Sequence, residues 1–178
     1  MLWLHGKFVM ADREDEKGDT VLKARFCARD YAKGKKRDDV FAITSSPITS
    51  RVIDLKCVEE DLVSATFDVT AAYPLLLEPE TVIMKPPKEW LDDWIAKGGS
   101  STTMWLMKRL LPGRRIAGRE WTKYLAEVFI ELGFKRHQGA PNIFRLAEKN
   151  ITVDTHMDDG HIALPPEEVG WLFKELKD

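Results

Sequence analysis

The chain has 178 residues, 44% of them apolar and 31% charged, with a formal charge of −2 at pH 7 and a pI near 6.1. This length suits one domain with a sizeable core or two small lobes that share one, a single folded unit being expected, and the composition excludes a disordered polymer. There is no apolar run long enough for a membrane span, and Met1 to His5 is too short an apolar run for a signal peptide, so a cytoplasmic chain without export signal or anchor is expected.

In chain order, Gly6 to Met10 and Val21 to Cys27 read as two strands of a hairpin around Gly18, with Leu22, Ala24 and Phe26 on one face and Lys23 and Arg25 on the other. Ser50 to Cys57 suits a helix. It leads into Val63 to Val69, a β-branched and apolar run that carries one carboxylate, Asp68. Val82 to Met84 is a short strand stopped by Pro86-Pro87, and Gly98 to Thr103 reads as a flexible loop. From Arg119 to Leu132, apolar residues recur at Trp121, Tyr124, Leu125, Val128, Phe129 and Leu132, a helical stripe with Gly133 placed as its C-terminal cap.

Asn142 to Leu146, Ile151 to Thr155 and His161 to Leu164 then read as strands, with a tight turn expected at Asp158-Asp159-Gly160. Pro165-Pro166-Glu167-Glu168 opens a final amphipathic helix. Cys27 and Cys57 match no C-x-x-C pattern and are expected as two reduced cysteines. Basic residues gather at Lys33 to Arg37, at Lys108-Arg109 through Arg114-Arg115, and at Arg119. Acids gather at Asp12 to Glu16, at Glu59-Glu60-Asp61 and near the C-terminus. The bulk charge therefore neither supports nor excludes a polyanionic partner.

Two adjacent aspartates at a turn are most simply a solvated turn. Asp68 adds a second signal, because a buried strand has little reason to end in a charge unless something pairs with it. If that strand lies beside the hairpin bearing Asp158 and Asp159, three carboxylates converge on a site for one or two Mg²⁺ ions, about 4 Å apart in two-metal enzymes.

Several longer motifs carry a family resemblance. Asp68-Val69-Thr70-Ala71-Ala72-Tyr73, followed by Val82-Ile83-Met84-Lys85-Pro86-Pro87-Lys88-Glu89-Trp90, resembles D-V-K-T-A-F with its V-Y-M strand and Q-P-P-G-F. Met104 to Trp121 is similar to C-K-L-K-K-S-L-Y-G-L-K-Q-A-P-R-A-W. Leu132 to Arg136 and Ala140 to Phe144 resemble L-G-F-K-R and A-D-P-C-L-F, His156-Met157-Asp158-Asp159 stands for Y-V-D-D, and Lys23-Ala24-Arg25 for K-A-R. All are patterns of the reverse transcriptase domain of copia-type retrotransposons, in the family's order and over nearly the whole chain.

The resemblance implies an α+β right-hand polymerase fragment in which an antiparallel palm sheet packs on helices. Fingers would span roughly 1–43 and 76–118 and palm roughly 44–75 and 119–178, with no thumb among these residues. It implies RNA-directed DNA synthesis on an RNA template and DNA primer, with deoxynucleotides as substrates and two Mg²⁺ ions, or Mn²⁺ in their place. The expected metal ligands are Asp68, Val69, Asp158 and Asp159, the three aspartates being catalytic. Lys23, Arg25, Tyr73 and Arg115 are the expected nucleotide contacts, and Arg114, His156 and Met157 the expected nucleic-acid contacts. Apart from the family, Lys23 and Arg25 suit a solvated strand face, Tyr73 a core tyrosine, and Arg114 and Arg115 an ordinary turn.

The resemblance also implies a larger Pol polyprotein with ribonuclease H and integrase, housed in a cytoplasmic virus-like particle. Ile116 replaces the family's nucleotide-side glutamine, Gly118 its proline and His156 its tyrosine, and Pro74 follows the sugar-gate position. These departures leave open an alternative, a truncated or domesticated relic that binds nucleic acid without catalysis.

Overall fold

A computed structural model describes residues 1–15, 17–31, 37–38, 40, 42 and 45–177, so the cluster Lys33 to Lys36 lies outside the described residues. In chain order the elements are β1 (Leu2–Glu14), β2 (Thr20–Ala28), α1 (Pro47–Glu59), β3 (Val63–Asp68), α2 (Ala72–Leu75), β4 (Val82–Lys85), α3 (Lys88–Ala96), β5 (Trp105–Leu106) and α4 (Ala117–Glu131). They continue with β6 (Lys135–Arg136), β7 (Ile143–Leu146), β8 (Ile151–His156), β9 (Asp159–Leu164) and, after a 3-10 turn at Pro166–Glu168, α5 (Val169–Glu175). This is an α+β chain that divides into two compact units, Met1–Val40 with Tyr73–Ala117, and Phe41–Ala72 with Gly118–Asp178. Among the described residues, no helix is long and apolar enough to cross a membrane. Cys27 and Cys57 are both free.

The first unit holds a four-stranded sheet in the order β2-β1-β4-β5. β1 and β2 form a long antiparallel hairpin from Gly6↔Ala28 out to Glu14↔Thr20, and β4 runs parallel to β1. Leu4, Ala28, Val82, Met84 and Met107 make its core, with Phe26 and Trp105 packed against them. The outer half of the hairpin is open on both faces: Leu22 is 65% exposed, and Lys23 on the other face is exposed too. The Gly98 to Thr103 segment is a hydrogen-bonded turn, in which Trp94 Nε1 donates to Thr103 Oγ1 at 3.0 Å and Thr103 Oγ1 donates to the Ser100 carbonyl.

Charge is organised in this unit around Arg114. Its guanidinium is fully enclosed, donating to both Glu78 oxygens at 2.8 Å, to Glu80 at 2.7 Å and to Asp30. The Arg115 amide and side chain also donate to Asp30, and Arg37 pairs with Glu80. The carboxylates hold the Arg114 proton more tightly than usual, against the opposing effect of burial. In turn, hydrogen bonds from Arg37 and Arg114 keep the Glu80 carboxyl below its ordinary range.

The second unit holds a five-stranded sheet in the order β3-β9-β8-β7-β6, antiparallel at every pairing. Alternation along the strands puts Phe144, Leu146, Ile151, Val153, Ile162 and Leu164 into the core, where α4 contributes Trp121, Leu125 and Phe129. α4 ends in a Schellman motif: Gly133 sits at φ 91°, the Phe134 amide donates to the Phe129 carbonyl and the Gly133 amide to Ile130. α1 begins with a reciprocal capping box, Ser46 Oγ accepting from the Thr49 amide and Thr49 Oγ1 from the Ser46 amide, with Pro47 in the first turn.

Replacing Arg114 with Met would strand the buried carboxylates of Asp30 and Glu78. Breaking one side of a buried ion-pair network costs about 3–5 kcal/mol, so Arg114→Met should lower urea-unfolding stability by that amount, whereas Lys123→Met on an exposed helix pair should change it by less than about 1 kcal/mol.

Candidate active site

Asp68 is the last residue of β3 and Asp159 the first of β9, and the antiparallel register sets them directly opposite one another. The pairing extends one bond further, because the Val69 amide donates to the Asp158 carbonyl at 2.9 Å. β8 and β9 are joined through Met157-Asp158, with His156 facing Asp159 across the hairpin. Met157 sits at φ 55°, at the first turn position, which tight hairpins usually reserve for glycine. Trp121 Nε1 donates to the Met157 carbonyl at 2.6 Å and ties the turn to α4.

The turn thus lies one residue earlier than expected, and Asp159 and Gly160 are strand residues. Gly160 is required there for packing: a Cβ on it would lie 2.0 Å from Cε1 of Phe67, its cross-strand partner. The register therefore carries both the ring-over-glycine contact and the opposed carboxylates. Gly118, which departs from the family's proline, also has a packing role, since a Cβ there would lie 3.2 Å from the Met157 methyl and 3.0 Å from the Ala42 Cβ.

The Asp159 carboxyl titrates above its ordinary range. Partial desolvation is the main cause, followed by a hydrogen bond with Asp68 and the negative charges of Asp158 and Asp68, while His156 acts in the opposite direction. Hard carboxylate oxygens crowded in this way suit Mg²⁺. The opposed pair supplies two such groups. Asp158, exposed in the turn, completes no preformed set: among the described residues, no three His, Cys, Asp or Glu side chains are arranged to hold a metal ion.

A cavity of about 400 Å³ adjoins the pair, lined by Thr66, Asp68, Asp154, His156, Asp159 and His161 together with Ser45 and Ser50. Asp154 was not singled out from the sequence, although a carboxylate inside an apolar strand is the same signal that Asp68 gives. It is 2% exposed and accepts from Ser45 Oγ at 2.6 Å, Ser50 Oγ at 3.4 Å and Asn142 Nδ2 at 2.6 Å. Ser64 and Asp54 both approach His161 at the same nitrogen, Nε2, at 2.9 and 3.4 Å. A nucleophile relay uses both ring nitrogens, so these three residues do not form one.

The remaining expected site residues belong to the first unit. Lys23 and Arg25 are exposed on β2, opposite Ala11 and Val9. Tyr73 is half-buried in α2, where Pro74 occupies a position that needs no intrahelical donor. Arg115 lines a cavity of about 420 Å³ with Trp3, His5, Arg29, Asp30 and Tyr31. Hydrogen bonding to Arg29 lowers the Tyr31 phenol. Arg114, expected to touch nucleic acid, instead has its guanidinium enclosed among Asp30, Glu78 and Glu80 and serves as an internal ion-pair centre. Ile116 is 1% exposed and packs into the core.

Compared with family models, with curated proteins and with solved structures, the chain matches none.

A carboxyl whose folded pKa is raised adds stability below its unfolded pKa, and that stability is lost as pH rises through the folded value. At neutral pH, Asp159 therefore costs stability. Asp159→Asn should raise the thermal midpoint by the equivalent of about 0.5 kcal/mol, the scale of an exposed cross-strand like-charge pair. In calorimetry, Mg²⁺ should stabilise the parent chain and leave the variant unchanged.

Proposed function

We propose that this chain is the metal-binding, nucleotidyl-transfer portion of a reverse transcriptase of the copia type, acting on a primer 3′-hydroxyl and a deoxynucleoside triphosphate. The observation that carries the proposal is the direct opposition of Asp68 and Asp159 across β3 and β9, next to the turn that bears Asp158. Support also comes from the order of the sequence motifs, which brings the same three aspartates into register with the family pattern.

Asp68 and Asp159 would hold Mg²⁺, with Asp158 and the Val69 backbone beside them. An ion held there would supply a lowered pKa at the attacking hydroxyl and charge neutralisation at the leaving pyrophosphate. The chain's own contribution is positioning. The register fixes two carboxylates face to face, the Trp121 hydrogen bond holds the turn, and the Phe67 ring over Gly160 excludes a slip that would point Asp68 to the apolar side. Lys23 and Arg25 are exposed on β2 of the first unit, cations of the kind that bind phosphate oxygens, Lys23 as a point charge and Arg25 as a planar fork.

A second proposal, nucleic-acid binding without chemistry, is favoured by one observation: Ile116, at the place of the family's nucleotide-side glutamine, is buried and offers no polar contact. The two separate in a primer-extension assay on an RNA template, run with the chain alone and with a thumb domain fused to it. Polymerisation predicts Mg²⁺-dependent extension that falls by more than about a hundredfold in Asp68→Asn and in Asp159→Asn. Absence of extension in both formats, together with RNA binding indifferent to Mg²⁺ and to Asp158→Asn, would establish the second.

A further inference from the structure

A groove of about 600 Å³ opens in the second unit, lined by Lys56, Lys135, Arg136, His137 and Arg145, with Gln138, Ile143 and Thr152 completing it. The cations come from three elements, α1, β6 and β7, and His137 lies in the loop that follows β6. Among the described residues, no carboxylate lines the groove. Glu60 pairs with Lys56 and accepts from Asn150 Nδ2 at 3.0 Å.

Several of these groups are held in place by neutral partners. Arg145 donates to Thr152 Oγ1 at 2.9 Å and to Asn150 Oδ1. Arg136 Nε donates to the Pro141 carbonyl, and its guanidinium lies 5.6 Å from the centre of the Phe144 ring. His137 Nδ1 accepts from the amides of Gly139 and Ala140 at 3.2 and 3.0 Å, which leaves the ring proton on Nε2 as a donor. Lys135 is exposed beside them. Arginines held by packing and neutral hydrogen bonds lose little further freedom on meeting an anion, and their forked donors match phosphate oxygens.

We infer that this groove binds the sugar-phosphate backbone of a nucleic-acid strand. Several cations spread along one open groove suit a repeating row of phosphates better than a single compact anion. The inference does not depend on nucleotidyl transfer, since none of its residues belongs to the carboxylate pair.

Fluorescence anisotropy of an oligouridylate, titrated across salt with the whole chain, tests it. Lys135→Ala should weaken binding several-fold and reduce the slope of log affinity against log salt by about 0.7, one phosphate contact on a single strand. Gln138→Glu should weaken binding in the same direction. Both positions are exposed, and an unchanged thermal midpoint verifies that each variant is folded. Asp159→Asn should bind as the parent does, which separates this groove from the carboxylate site. Unchanged affinity and slope in both groove variants overturns the inference, as does displacement of the RNA by polyglutamate as effective as displacement by unlabelled RNA.

Discussion

β3 lies against β9 in a register that leaves no freedom at two adjacent positions: the Phe67 ring covers Gly160, and Asp68 faces Asp159. Side chains alternate along a strand, so any odd shift would drive the ring off its glycine and turn the carboxylate toward the core. The apolar face formed by Phe144, Val153 and Ile162 packs with Trp121 and Phe129 of α4, and this packing fixes which face is inside. The opposite face carries the polar side chains together with buried Ala163, and Asp154 is enclosed there by Ser45, Ser50 and Asn142. Asp68, Asp154, His156, Asp159 and His161 share a cavity because their positions have the same parity in this pairing pattern.

The chain treats like charges in two contrasting ways. In the first unit, three carboxylates surround one enclosed arginine, and every donor fork finds an acceptor. Such a cluster is stable because its desolvation is offset by close, complete hydrogen bonding. In the second unit, Asp68 and Asp159 oppose one another, and His156 acts against the repulsion. The internal cluster resembles scaffolding. In the opposed pair the like charges instead push the Asp159 carboxyl above its ordinary range, after partial desolvation as the main cause.

Legibility of the sequence followed the strength of local signals. α4 was readable because its apolar stripe and capping glycine agree, β3 and β8 because β-branched residues recur along them, and β9 because it follows a turn signal. α3 passed unnoticed: its tryptophans, Trp90 and Trp94, stack on each other and Trp90 meets Trp105, contacts that a short window cannot reveal. β5 and β6 are two residues each and exist only through their partners. Arg114 looked like a surface cation because its acceptors, Asp30, Glu78 and Glu80, are remote in sequence. The same remoteness hid the basic groove, whose Lys56 lies on a different element from Lys135 and Arg145. The hairpin turn was displaced by one residue because Gly160 suggested a turn, while its role is to make room for a ring.

Met157 occupies a backbone conformation that glycine or asparagine adopts more readily, yet its carbonyl is fixed by Trp121 and its methyl rests near Gly118. Ease of backbone and usefulness of side chain therefore pull this position in opposite directions. In a library randomised at 157, sorting for heat resistance alone enriches glycine and asparagine, whereas sorting for what the turn does retains longer side chains. The divergence between the two sorted pools measures how much the methionine contributes beyond holding the turn.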